Sequence, residues 1–126
     1  MSRYNLNNVE KFLWDLQNIN PAIKGVSLLS IEGLPIASTL PKETNKNRIS
    51  ALSATLLAVG KRGNKEINNG EFNHLFIEGS NGGILIFQLS KFEILVLIVK
   101  MNTSLKEILV SLNKFKFEGH LLFQLD

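Results

Sequence analysis

The run Glu93-Ile-Leu-Val-Leu-Ile-Val-Lys100 constrains this chain more than any other stretch. Successive side chains of a strand point to opposite faces, so the unbroken apolar residues from Ile94 to Val99 leave neither face polar. Such a strand is central in its sheet and covered above and below. The run is far short of the ~20 residues that span a bilayer as a helix, so the cover comes from other segments of a globular domain. Three amphipathic segments supply it.

Val9, Phe12, Leu13, Leu16 and Ile19 fall on one stripe of a helix over 7–19, with Asn7 and Glu10 in capping-box spacing and Pro21 ending it. Lys24–Ile31 and Leu34–Thr39 read as strands around a Glu32-Gly33-Leu34-Pro35 corner, with Gly33 at positive φ and Pro35 marking an edge strand. Arg48–Lys65 lacks strand alternation and reads as a second helix. Its bulky residues Ile49, Leu52, Leu56, Leu57 and Val59 are expected to face the core, and the small residues Ala51, Ala54 and Ala58, with Ser50 and Thr55 beside them, to face outward. Small side chains let a second backbone approach closely, so this strip is expected to be a helix-to-helix contact. Phe72–Gly79 and Gly83–Leu89 form a hairpin about Asn81-Gly82, and the two-faced strand Glu93–Lys100 follows. Ser104-Leu105-Lys106-Glu107 is a capping box opening a third helix with Leu105, Ile108, Leu109, Leu112 and Phe115 as its stripe. Residues 119–126 are too apolar for a free tail and are expected to dock on the domain, a twin subunit or a partner. The expected architecture is α/β, a three-layer α/β/α sandwich around an antiparallel sheet, in one domain over 1–126.

The 14 basic residues outnumber the 11 acidic ones only slightly, for a net charge of +3 spread along the chain, too weak to argue for nucleic acid. With no cysteine, disulfides and thiolate metal sites are excluded, and a reducing compartment is a natural fit. The first residues lack the apolar core of a signal peptide, so a soluble, cytoplasmic protein is expected.

Side chains in catalytic arrangement are not evident. His74 and His120 lie in a strand and in the tail, without the paired spacing of a metal or triad site. Ser80-Asn81-Gly82-Gly83 is glycine-rich but lacks the Gly-Lys-Ser/Thr ending of a phosphate loop. Glu66 and Glu71 flank a polar loop with nothing apolar near them to raise a pKa. An enzyme is not expected, nor a catalytic residue, cofactor or metal.

The hairpin "GVSLLSIEGLPIAS", the small-residue helix "ISALSATLLAVGKRG" and "HLFIEGSNGGILIFQL" followed by "ILVLIVK", in this order, resemble the Roadblock/dynein light chain family over residues 7–115. The resemblance implies a profilin-like sheet of order 2-1-5-4-3, with helix two on one face and helices one and three on the other. It implies homodimers or heterodimers made by packing the second helices together and pairing the third strands, and work as scaffolds or regulators of Ras-like small GTPases. Carried onto this chain, the dimer surface comprises Ala51, Ala54, Thr55, Ala58, Arg62, Phe72, His74, Phe76 and Glu78, and the GTPase-facing residues are Arg48, Lys61, Arg62 and Lys65. An arginine finger from Arg48 or Arg62 is chemically conceivable, although Arg62 is also placed to satisfy the end of its own helix. Residues His120–Asp126 go beyond the family's usual end at the third helix. Other classes with similar layering are a PAS-like small-molecule sensor, which needs a ligand cavity beneath the sheet, and a longin or profilin-like trafficking module.

Overall fold

The computed structural model describes residues 4–115. Along the chain lie α1 (Leu6–Gln17), β1 (Ile23–Ser30), β2 (Pro35–Ser38), α2 (Lys46–Glu66), β3 (Leu75–Gly79), β4 (Gly82–Gln88), β5 (Glu93–Lys100) and α3 (Leu105–Lys114). The strands form one antiparallel sheet in the order β2-β1-β5-β4-β3. The two-faced apolar run thus occupies the middle of the sheet, as its pattern requires, and Ile94 to Leu97 and Val99 are buried.

Alternation along the strands divides the core in two. On one side Val26, Leu28, Leu85, Leu95 and Leu97 pack with Val9, Phe12, Leu13 and Leu16 of α1 and Ile108 and Leu112 of α3. On the other, Leu29, Ile86, Ile94 and Val96 pack with Leu57 of α2. The three layers follow from strands that are apolar on both faces.

Caps and turns show where local signals compete. α1 is capped by Asn5, whose side chain accepts from the Asn8 N–H at 3.2 Å, not by the expected Asn7. Three asparagines in four positions offer equivalent caps. The choice falls on Asn5 because Tyr4, just before it, is held by a hydrogen bond of 2.8 Å from its hydroxyl to Glu93. The Glu93 carboxylate is fully buried and also accepts from the Ser90 hydroxyl, so its burial is supported by donors from two loops. Ser104 caps α3 as its sequence indicates, accepting from the Glu107 N–H at 3.4 Å.

The β3–β4 turn is Ser80-Asn81, closed by the Gly79↔Gly82 pair, one residue earlier than the Asn81-Gly82 reading. β3 begins at Leu75, later than Phe72, because the Phe72 ring is used elsewhere: it lies against Gly60 of α2, where an added Cβ would come within 3.2 Å of it. Pro35 opens β2 at the sheet edge, and the β1–β2 register shifts where Leu29 faces it.

Candidate protein interaction surface

Where α2 meets the sheet, most of the bulky face expected in the core lies outside it, while Ala51, Thr55 and Ala58 are exposed as expected. Ser50, Ser53 and Leu57 are buried, whereas Leu52, Leu56 and Val59 are 57%, 38% and 65% exposed. Of the bulky face expected to be in the core, only Leu57 is buried; Ile49 is half-buried. The reason is the glycine corner. Gly33 has φ +93°, a conformation that favours glycine, and an added Cβ would lie 3.3 Å from Ala51 Cα and 3.3 Å from Ala54 Cβ. The small residues do admit a close backbone approach, but the backbone that approaches is the chain's own β1–β2 turn. With the hairpin corner pressed against Ser50, Ala51 and Ala54, the wider side of the helix is left facing outward.

The signal for this orientation is present in the charges. Val59 lies about three turns beyond Arg48 and Glu66 about two turns beyond Val59, so all three share one side of the helix at 3.6 residues per turn. Arg48, Val59 and Glu66 are all exposed. Bulk alone assigns Leu52 and Val59 to the core; their alignment with two charged residues assigns them to the surface.

The expected interface residues separate accordingly. Ala51, Thr55, Ala58, Arg62 and Glu78 are exposed. Ala54 and Phe72 are half-buried against the core beneath α2, and Phe76 against the core on the opposite side of the sheet. His74 is half-buried just before β3. The Thr55 hydroxyl donates to Ala51 C=O at 2.8 Å, so this side chain is satisfied within its helix.

β3 is the outer strand of the sheet on that side, paired only with β4 among the described strands. A strand in that position presents a row of backbone N–H and C=O groups along its outer edge. Ile77, in its middle, is 37% exposed. α2 runs across that face of the sheet in contact with β1, β2, β3 and β4 alike. Sequence reasoning placed the edge strand here but left out Leu52, Leu56, Val59 and Ile77 as surface residues.

The basic residues form two groups. Lys61, Arg62 and Lys65 are exposed within about one turn, and Arg48 is exposed ~21 Å away along the helix axis at 1.5 Å per residue. Lys61 Nζ donates to Gln88 Oε1 at 2.8 Å, tying the helix to the end of β4. Beside it lies a cleft of about 300 Å³ lined by Ile31, Ala54, Leu57, Ala58 and Lys61. Among the described residues, no group of three or more histidines, aspartates or glutamates is placed to hold a metal ion. No helix among them is long and apolar enough to cross a membrane. His120 and the extension 119–126 lie outside the described residues.

Residues 10–99 match the sequence model of the Roadblock/LC7 domain. The chain belongs to the Roadblock/LC7 family. Solved structures share its fold at low identity. MglB of Myxococcus xanthus is 22% identical with a TM-score of 0.69, covering 82% of this chain and 87% of that one. The gliding protein MglB of Thermus thermophilus is 15% identical with a TM-score of 0.72, covering 90% and 85%. Profilin IB of Acanthamoeba castellanii, at 13% identity and a TM-score of 0.56, covers 82% and 90% and extends the likeness to the profilin architecture. No curated protein is significantly similar in sequence to this Roadblock/LC7 chain.

Proposed function

We propose that this chain is a non-enzymatic, dimer-forming Roadblock module that regulates or scaffolds a Ras-like small GTPase in the cytoplasm. The observation that carries the reading is the apolar outer side of α2, with Leu52, Leu56 and Val59 exposed, together with the unpaired outer edge of β3 among the described strands. Family membership supports it, because Roadblock proteins pair through the second helix and the third strand. In this reading the module spans 1–126 with 119–126 as an extension, and its partner is a second copy or a different Roadblock subunit. No cofactor, nucleic acid or membrane insertion enters the mechanism.

The dimer surface of this proposal keeps Ala51, Thr55, Ala58, Arg62, Phe72, His74, Phe76 and Glu78 at or near the contact and adds Leu52, Leu56, Val59 and Ile77. Ala54 contributes from below by seating the helix on the hairpin corner. Arg48, Lys61, Arg62 and Lys65 then supply positive charge around the apolar contact, suited to an acidic surface of the GTPase. Whether the module holds the switch regions or lends Arg48 or Arg62 to phosphoryl transfer is decided by rate.

The test combines light scattering with a pull-down against small GTPases of the same cell, each loaded with GDP or a GTP analogue. A dimer that retains one GTPase in a nucleotide-dependent way is expected. A monomer at high micromolar concentration, or equal capture of both nucleotide states, overturns the respective half of the proposal.

A further inference from the structure

Ala54, Ala58, Lys61 and Lys65 recur at i, i+4, i+7 and i+11 and so share one flank of α2. Leu52, Leu56 and Val59 repeat that spacing from a start two positions earlier, which puts them about 160° away around the helix. The cleft of about 300 Å³ opens on the first flank, lined by Ile31, Ala54, Leu57, Ala58 and Lys61. Leu57 is buried, Ile31 and Ala54 are half-buried, and Ala58 and Lys61 are exposed, so the cleft has an apolar floor and one cation at its rim. An apolar cavity of ~150 Å³ takes benzene, so there is room here for an aromatic side chain.

The cation at the rim is positioned by its neighbours. Lys61 Nζ donates to Gln88 Oε1 at 2.8 Å, and Gln88 Nε2 donates in turn to Ser90 C=O at 2.8 Å. An ammonium carries three N–H donors, and the one given to a neutral amide leaves its charge unopposed. Among the described residues, no carboxylate lies within ion-pair distance of Lys61. Lys65 is exposed one turn further along the same flank, and Lys91 is exposed in the β4–β5 turn, whose Phe92 C=O accepts from the Ile31 N–H at 2.8 Å. Glu32, exposed beside Ile31, is a lone acid next to these lysines. The surroundings of the cleft are therefore net positive.

We propose that this cleft seats one aromatic side chain of a partner protein, presented on an acidic segment whose carboxylates flank the ring. The ring covers Leu57 and Ile31, filling a small apolar pocket with a polar rim, the setting in which aromatic anchors carry most of an interface's energy. A carboxylate beside it meets the remaining donors of Lys61, and charge complementarity with Lys61, Lys65 and Lys91 selects an acidic segment over a basic one. The inference deepens the GTPase reading by naming what a partner presents to this flank. It rests on that reading only in taking the partner to be a protein.

The probe is the capped peptide acetyl-Glu-Phe-Glu-amide, titrated into the full chain carrying labelled Ile, Leu, Val and Ala methyls and followed by NMR. Acetyl-Glu-Ala-Glu-amide and acetyl-Lys-Phe-Lys-amide serve as controls. Ring-current shifts at Ile31, Ala54, Leu57 and Ala58 are expected with the first peptide, with binding at least ~10-fold weaker once the ring is removed. The lysine peptide is expected to bind at least ~3-fold more weakly, and Lys61→Met to weaken the glutamate peptide by ~2–5-fold, as for an exposed charge pair. No shift at these methyls up to ~10 mM peptide, equal binding of the lysine peptide, unchanged affinity in Lys61→Met, or shifts centred on Leu52, Leu56 and Val59 would each overturn the proposal. The titration contains no GTPase, so its failure leaves the pull-down result standing, and a pull-down that captures no GTPase leaves the cleft standing.

Discussion

Replacing Leu52 and Val59 together by serine tests the outward assignment of α2 directly. Full burial of a Leu or Val side chain contributes ~1.5–3 kcal/mol relative to exposure. At 57% and 65% exposure, each of these side chains has a little over half of that still to gain, or ~1–1.5 kcal/mol apiece. A two-fold axis counts each residue twice, so the double variant removes ~4–6 kcal/mol, a rise of roughly three to four decades in the dimer dissociation constant. Sedimentation velocity over a concentration series reads the constant, and urea denaturation of the monomer reads the fold. The monomer is expected to lose no more than ~2 kcal/mol, the share of these two side chains already covered within one subunit. Ala54→Glu provides the contrast: Ala54 is packed on the core beneath α2, and its Cβ would lie 3.3 Å from a Cβ added at Gly33, so a glutamate there is expected to lower monomer stability along with assembly. A dissociation constant within ~3-fold of the unmodified protein for Leu52→Ser/Val59→Ser would show that the outer side of α2 is not covered in the assembly, and the argument from exposure would fail.

Four changes probe the packing beneath this surface, all readable by chemical denaturation. Gly33→Ala is expected to destabilise by ~1–3 kcal/mol, since alanine at φ +93° is strained and its Cβ would press on Ala51 and Ala54; an unchanged midpoint would refute the corner contact. Leu57→Ala, removing the one fully buried leucine of α2, should cost ~2–5 kcal/mol. Ser50→Ala is expected to be neutral or stabilising, because the buried Ser50 hydroxyl has no hydrogen-bond partner; a loss above ~1 kcal/mol would reveal a partner. Tyr4→Phe leaves one oxygen of the buried Glu93 carboxylate without its donor and should cost ~1–3 kcal/mol, with increased hydrogen exchange at the start of α1.

Much of the fold was legible because the strongest signals are local and redundant. The apolar run at Ile94–Val99 fixed the central strand, Pro35 marked an edge, and Ser104 with Glu107 opened α3; each is a pattern whose meaning does not depend on distant residues. The orientation of α2 was harder to read because it depends on one. Side-chain size points Leu52, Leu56 and Val59 inward, and the approach of Gly33, some twenty positions earlier in the chain, seats the helix on Ser50 and Ala54 instead. The buried Glu93 was missed for the same reason, since the tyrosine that donates to it lies 89 positions earlier in the chain. The edge strand β3 was legible as an element, whereas its exposed Ile77 depends on which face α2 leaves uncovered.

The exposure of Leu52, Leu56 and Val59 bears on how an assembly through this surface would be built. Stable interfaces bury ~1,200–2,000 Å² in total, more than three aliphatic side chains on one helix can provide from each subunit. The outer side of α2 also carries Arg48 and Glu66, exposed in line with Val59, which limits a purely apolar seam and favours a pairing that sets Arg48 of one helix against Glu66 of the other. Antiparallel helices bring those ends together, because Arg48 lies near the start of α2 and Glu66 at its end. In the dimer proposed above, pairing of the two β3 edges would add contact that the helices lack. Charge reversal at one site, Glu66→Arg, should therefore weaken a homodimer by setting like charges together, and combining it with Arg48→Glu should restore part of the loss. Recovery in the double variant distinguishes an antiparallel helix pair from a contact made through β3 alone, for which neither change would alter the measured mass.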